Sequence, residues 1–328
     1  MPSFQHLLLK QFLTAAAVPL ARRKPSVGAI RLAMEAGALF QFMPWRVNLE
    51  SFKLDNRLEA EWLRPRAAHP TRVLLYLHGG GYVLGSLNTH RSLVGSLALR
   101  CELNVLTINY RKAPDHPFPA ALDDARRAYR WLLRQGYQPQ DIVVGGDSAG
   151  GGLALALLLA LRDAGEALPA AGIGLSPWTD LNLPAGILRR VSQEETLLLE
   201  ALQMRSWGPL YAHKTALTHP LLSPAQANLH GLPPLLIQIS TAEVLYDDVV
   251  KFARKARAAG VPVTLQPFEG LVHWWHLFWR VVPEARQALD QVASFLAQLW
   301  VSQEKASVPL VLPPSVAERR SATRRRAA

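Results

Sequence analysis

The stretch 141–165, DIVVGGDSAGGGLALALLLALRDAG, joins a short apolar run to a long one through a glycine-rich turn. Residues 142–144 are typical of a buried strand, and 149–164 of an apolar helix. The turn between them, 146–150, reads G-x-S-x-G with Ser148 at its centre. A sharp strand-to-helix turn of this kind exposes the serine hydroxyl and needs small flanking residues. The pattern therefore predicts a nucleophilic serine, and the alternative is a serine that only caps the helix.

The same alternation of apolar runs and helical stretches extends from about residue 45 to 300. The other expected strands are RVLLYLH, NVLTINY, AGIGLS, PLLIQIS and PVTLQPF, and the helical stretches are 87–101, 119–134, 149–164, 244–259 and 283–300. Such alternation predicts an α/β fold, in which helices cover both faces of a mainly parallel sheet. The earlier runs WRVNLESF and LEAEWLRP are expected to form an antiparallel edge.

Two helical regions lie outside the alternation, at 1–44 and at 181–215. Because the ligand crevice of an open α/β sheet lies at the carboxyl ends of its strands, both regions are expected to cap that crevice. The catalytic domain is then 45–301. The tail 302–328, rich in Pro, Ser, Ala and Arg, is expected to be disordered.

The net charge of +11 is concentrated at the two ends of the 328-residue chain. Residues 1–31 carry +5 and residues 301–328 carry +4, so only +2 remains for the body of the protein. A basic groove across the fold is therefore not expected, and neither is a nucleic-acid partner.

The sequence also indicates the cellular compartment of the protein. A single cysteine, Cys101, excludes an internal disulfide and fits a reducing, cytoplasmic environment. Lys10 interrupts the apolar N-terminal stretch, which argues against an export signal, although a signal or a membrane-surface anchor remains the alternative. No apolar run reaches the roughly 18–20 residues of a membrane-spanning helix.

A serine nucleophile needs a histidine base that is oriented by an acid, and after a strand–serine–helix turn both are expected later in the chain. His273 follows the last predicted strand in PFEGLVHWWH, with His276 as the alternative. Glu243 follows the strand PLLIQIS, and Asp247 is the alternative acid. Glu243 is favoured because it lies in the loop, whereas Asp247 falls within the next helix.

A run of three glycines ends another apolar strand, in LLYLHGGGYVLGS at 74–86. A tight turn alone needs only one or two glycines. Bare backbone amides at Gly80 and Gly81, together with that of Ala149, would instead form an oxyanion hole beside Ser148.

With HGGGY at 78–82, GDSAGG at 146–151 and GLVH ending at His273, the chain resembles the hormone-sensitive-lipase-like family of α/β-hydrolase esterases. The similarity spans about residues 45–300, and the segments YRKAPDHPFPAALDDA and SPWTDL look like further family features. It implies a mostly parallel eight-stranded sheet with a helical cap. It also implies a serine carboxylesterase that cleaves short- to medium-chain acyl esters through an acyl-enzyme.

The resemblance also bears on the acid and on assembly. EVLYD at 243–247 matches the family motif D-P-L-x-D with Glu243 in place of aspartate, and the thirty residues from Glu243 to His273 match the family spacing. Members of the family often pair through an edge strand, so the resemblance allows a homodimer, while the sequence itself does not determine the oligomeric state.

Five further residues are expected near the site. His78 and Asp147 would support the two glycine turns structurally, and Tyr82, Trp274 and Trp275 would line the substrate pocket. The chemistry needs no organic cofactor and no metal, and its partner is a small-molecule ester. A lactonase, amidase or lipase with the same triad is the alternative, and a non-catalytic ligand-binding protein is disfavoured because Ser148 and His273 are both present.

Overall fold

The structure is a computed structural model of the chain, described here for residues 1–182 and 204–307. One sheet holds eight strands in the order β1-β2-β4-β3-β5-β6-β7-β8. The strands are β1 (Val47–Leu54), β2 (Leu58–Pro65), β3 (Val73–Leu77), β4 (Asn104–Ile108), β5 (Ile142–Asp147), β6 (Ala171–Leu175), β7 (Leu235–Ser240) and β8 (Val263–Phe268). The predicted α/β architecture with a mostly parallel eight-stranded sheet is confirmed.

The described residues form eight α-helices around this sheet. They are α1 (Phe4–Arg23), α2 (Val27–Ala38), α3 (Leu87–Cys101), α4 (Ala120–Arg134), α5 (Ala149–Asp163), α6 (Met204–Ala212), α7 (Tyr246–Ala258) and α8 (Pro283–Ser307). Helices were expected close to these positions, apart from α6, which covers only part of the expected insertion. No described helix is both long and apolar enough to span a membrane.

The strand pairing follows the sequence pattern. β1 pairs antiparallel with β2, and β2 antiparallel with β4, as expected for an edge. From β4 to β8 all neighbours are parallel. Parallel strands are covered on both faces, which explains why β3, β5, β6 and β7 are buried at every residue.

Two apolar clusters lie on opposite faces of the sheet. Leu75 and Leu77 of β3 pack into the cluster that contains α4, α5 and α7, whereas Leu74 and Tyr76 pack into the one that contains α3 and α8. Successive side chains of a strand point to opposite faces, so one strand serves both clusters. This core anchors the strand ends that carry the site.

The ends of the chain and the insertion differ in part from expectation. Within the region 1–44, where helices were expected, α1 covers Phe4–Arg23 and α2 covers Val27–Ala38. The last helix, α8, runs to Ser307, so the expected disordered tail is wrong for residues 302–307, whose helix continues past the predicted boundary. Residues 308–328 of the tail and 183–203 of the insertion lie outside the described residues.

Candidate active site

Ser148 lies at a strained turn between β5 and α5. Its φ of 50° and ψ of −119° fall outside the regions that L-residues normally adopt, a geometry found at functional sites. A Cβ atom on Gly146 or Gly150 would collide with the carbonyl oxygen of Leu77, so the turn requires glycine at both positions. The Ser148 side chain makes no capping bond to α5 within the described residues, which disfavours the alternative that it is only a cap.

The structure brings Ser148, His273 and Glu243 together. His273 Nε2 lies 2.8 Å from Ser148 Oγ, and His273 Nδ1 lies 2.6 Å from Glu243 Oε2. An ionised carboxylate only accepts hydrogen bonds, so Nδ1 donates and the free lone pair of Nε2 faces the serine hydroxyl. All three side chains are buried. This arrangement can move a proton from the serine to the histidine.

The carboxylate of Glu243 is held by two further hydrogen bonds. Ser176 Oγ donates to Oε1 at 2.7 Å, and the Ser240 N–H donates to the same oxygen at 2.9 Å. These bonds leave Oε2 for His273. Ser240 ends β7 and Ser176 follows β6, so the ends of two neighbouring strands orient the acid.

The alternative base and acid lie elsewhere. His276 is buried and its Nε2 lies 3.1 Å from Gln238 Oε1. Burial, and then the nearby His273, lower the pKa of His276 to about 3, so it stays neutral and serves packing. Asp247 is exposed in the first turn of α7. The geometry therefore favours His273 and Glu243.

The glycine turn after β3 lies beside the serine turn. The Gly79 N–H donates to Asp147 Oδ1 at 3.0 Å, and Gly80 and Gly81 both have positive φ. In the part of the chain that the structure describes, the N–H groups of Gly80, Gly81 and Ala149 have no acceptor. They are available to a ligand, as an oxyanion hole requires.

Glycine is also a steric requirement in this turn. Gly80 has a φ of 118°, and a Cβ there would meet the Leu84 carbonyl, while a Cβ on Gly81 would meet the ring of Trp207. Alanine at either position would therefore disturb the loop itself. A glycine variant does not separate folding from oxyanion binding.

Asp147 and His78 hold the two turns in place, consistent with the expected supporting role. Asp147 accepts from the Tyr76 hydroxyl at 2.8 Å, and its Oδ2 lies 3.2 Å from His90 Nε2. Burial opposes the charge of Asp147, but His90 and the hydrogen bonds from His90 and Tyr76 outweigh it and lower the pKa to about 2. His78 stacks on Tyr110, and its Nδ1 lies 2.8 Å from the Gly79 carbonyl oxygen.

We expect Asp147 to make folding pH-dependent. A folded-state pKa of about 2, below the ordinary 3.8, stabilises the protein above pH 4, and this contribution is lost as the pH falls towards 2. In urea unfolding, the stability advantage of the wild type over Asp147→Asn should shrink by ~2 kcal/mol over that range. Asp141→Asn, at the other end of β5, is the control. A difference that does not change with pH would contradict the assignment.

The three expected pocket residues have different surroundings. Tyr82 is buried, with its ring stacked on Tyr211 at 3.9 Å, and Trp274 stands edge-on to His273 at 5.1 Å. Both stay predictions as pocket residues. The expectation for Trp275 is wrong, because this ring is fully buried in the cluster of Phe268, Leu271 and Val282, where it packs under α8.

Sequence reasoning missed the residues that contact and orient the predicted site residues. Ser176 opens the segment SPWTDL and Ser240 ends the strand PLLIQIS, so both lay in stretches that were already singled out. Neither had a distinguishing pattern, because a serine at a strand end is common. Trp207, which faces Gly81, lies in the insertion and had no signal at all.

The site and the fold define the class of protein as an α/β hydrolase. A family model described as "alpha/beta hydrolase fold" matches residues 74–277. An acetyl-hydrolase of Streptomyces hygroscopicus is 46% identical over 237 residues, which are 72% of this chain and 79% of that protein.

Solved structures similar to this chain support the same class of protein. The esterase EstE5, in a crystal soaked with p-nitrophenyl butyrate, is 38% identical with a TM-score of 0.83, covering 91% of this chain and 99% of its own. An esterase of the bacterial hormone-sensitive lipase family is 36% identical with a TM-score of 0.78, covering 88% and 98%. The chain belongs to the hormone-sensitive-lipase-like family of α/β-hydrolase esterases, and it is a carboxylic ester hydrolase.

Proposed function

We propose that the protein is a serine carboxylesterase that hydrolyses short- to medium-chain acyl esters through Ser148, His273 and Glu243. The observation that carries the proposal is the buried chain of hydrogen bonds from Glu243 through His273 to Ser148 Oγ, at 2.6 and 2.8 Å. A serine hydroxyl is a weak nucleophile until such a base takes its proton.

In the first step Ser148 Oγ attacks the ester carbonyl carbon while His273 Nε2 takes its proton. The imidazolium that forms is stabilised by the carboxylate of Glu243. The tetrahedral intermediate collapses, His273 returns the proton to the departing alkoxide, and the alcohol leaves. The acyl group is then bound to Ser148.

In the second step water replaces the alcohol. His273 removes a proton from the water as it attacks the acyl carbon, and the carboxylic acid leaves as Ser148 regains its hydrogen. In both steps the carbonyl oxygen becomes negative next to Gly80, Gly81 and Ala149. Their N–H groups, which have no acceptor among residues 1–182 and 204–307, stabilise that charge together with the N-terminus of α5.

We assign the helices of 1–44 and helix α6 of the insertion to a cap over this site. Leu13 and Ala17 of α1 pack with Val272 and Trp274 beside the catalytic histidine. From the insertion, Trp207 of α6 lies against Gly81. The homodimer that the resemblance allows and the cytoplasmic location stay predictions.

Three observations support the proposed preference for short- to medium-chain acyl groups. The relative from Streptomyces hygroscopicus is named an acetyl-hydrolase, and the EstE5 crystal was soaked with a butyrate ester. In this chain the indole of Trp207 lies directly against Gly81 of the oxyanion turn, where it restricts the space next to that turn.

Hydrolysis of p-nitrophenyl esters from C2 to C12 tests the proposal. We expect kcat/KM to be greatest at C2 to C6 and to fall at least about tenfold by C12, because longer chains would meet the indole of Trp207. Trioctanoin emulsion, a γ-lactone and p-nitroacetanilide serve as comparisons for a lipase, a lactonase and an amidase. A higher kcat/KM for any of these three would overturn the assigned substrate class.

A further inference from the structure

His6 lies far from the predicted site residues in the sequence, yet the structure places it beside them. It sits in the first turn of α1, and its side chain is fully buried. Its own N–H donates to Ser3 Oγ at 3.3 Å, and Ser3 Oγ donates to Glu284 of α8 at 2.8 Å. The start of α1 is thus tied to α8, which fixes where the imidazole can reach.

The loop that carries His273 is held by side chains along its backbone. The N–H of Gly270 donates to Thr241 Oγ1 at 3.1 Å, and that of Leu271 donates to Ser240 Oγ at 2.7 Å. The next N–H, that of Val272, donates to His6 Nε2 at 3.1 Å. Of the three acceptors, Ser240 ends β7 and Thr241 follows it, whereas His6 belongs to α1.

We propose that His6 is a positioning residue for the hydrolysis, which holds the peptide before His273 through the hydrogen bond from the Val272 N–H to His6 Nε2. The inference rests on the proposed function, because it assumes that His273 is the base. His6 touches neither the substrate nor the reacting atoms. It acts on the loop that sets the distances from His273 to Ser148 and Glu243.

The surroundings of His6 favour a neutral imidazole, which can accept this bond. An imidazole accepts at Nε2 only when it is neutral with its proton on Nδ1. Burial and Lys10 on α1 lower the pKa of His6, outweighing the opposite effect of Glu284 on α8. The loop itself presents the Val272 N–H, an uncharged donor, to the ring.

The energetic reason for the arrangement is the cost of an unpaired buried amide. Without His6, the buried Val272 N–H would be left without an acceptor, which is unfavourable unless the loop moved. A loop that moves to find another partner carries His273 with it. A displacement of about 1 Å in a catalytic group can lower the rate roughly 10²-fold.

His6→Leu and His6→Gln form a matched pair that tests the proposal. Leucine fills the apolar site but cannot accept a hydrogen bond, whereas the amide oxygen of glutamine can accept from Val272. Hydrolysis of p-nitrophenyl butyrate should be measured per active serine, counted with a phosphonate inhibitor. We expect His6→Leu to lower kcat by about 10- to 100-fold with KM changed less than about threefold. His6→Gln should restore kcat to within about threefold of the wild type.

The thermal midpoint of each variant separates positioning from general stability. Equal kcat per active serine in the wild type and His6→Leu would overturn the inference, and so would an equal loss in both variants. A rise in KM without a fall in kcat would also contradict it, because that would assign His6 to binding. Failure of the proposed function looks different, since Ser148→Ala would then retain activity whatever the His6 variants do.

Discussion

Ser148→Ala is expected to lower kcat for p-nitrophenyl butyrate by roughly 10⁶-fold, the loss seen when a triad nucleophile is removed. The substitution deletes only Oγ, so His273 loses the group that it deprotonates and no acyl-enzyme can form. The backbone of the turn is set by Gly146, Gly150 and the close approach of Leu77, which the substitution leaves intact. The measurement is the steady-state rate, with the thermal midpoint as a check on folding.

A matched serine provides the control. Ser294 is exposed on α8, where its hydroxyl donates to the Asp290 carbonyl oxygen at 3.0 Å. Ser294→Ala should retain full activity, and it should react with a serine-directed phosphonate at the wild-type rate. Turnover by Ser148→Ala comparable to that of this control would remove Ser148 from the mechanism.

Glu243→Gln is expected to lower kcat by roughly 10³–10⁴-fold through the tautomer of His273. The Ser176 hydroxyl and the Ser240 N–H both donate to Oε1, so the amide oxygen of glutamine must occupy that position. The amide NH₂ then faces His273 Nδ1, which becomes an acceptor. The imidazole proton moves to Nε2, where it blocks removal of the proton from Ser148.

Asp247→Asn is the control for the acid. Asp247 lies four residues further on and is exposed on α7, so we expect its neutral variant to keep kcat within about threefold of the wild type. The ratio of the two kcat values decides between the carboxylates. A large loss in Asp247→Asn with little change in Glu243→Gln would transfer the role of the acid.

Much of the architecture could be predicted from local pattern. The strands of the parallel sheet are buried on both faces and therefore appear as continuous apolar runs, which are easy to recognise. The helix 87–101 was predicted with the bounds that α3 has. The end of α8 was not predicted, because residues 301–307 (VSQEKAS) are mostly polar, a composition that suits an exposed helix as well as a disordered tail.

Ser148 was determined by the sequence for a physical reason. Its turn needs glycine where a Cβ would strike the neighbouring strand, and those glycines remain visible in the sequence as G-x-S-x-G. The same holds for Gly80 and Gly81, whose positive φ excludes most other residues. Steric requirements of the backbone restrict the residue type at individual positions, so they can be recognised from the sequence without a structure.

Only the tertiary structure decided which side chains meet at that turn. His273 and His276 are three residues apart, yet the loop path directs one to Ser148 and the other to Gln238. Trp275 was expected in the pocket and instead packs under α8. His6 reaches Val272 across 266 residues of sequence, and no local pattern marks it. A hydrogen bond of this kind depends on how separate elements pack, and packing is a property of the whole fold that no single stretch of sequence contains.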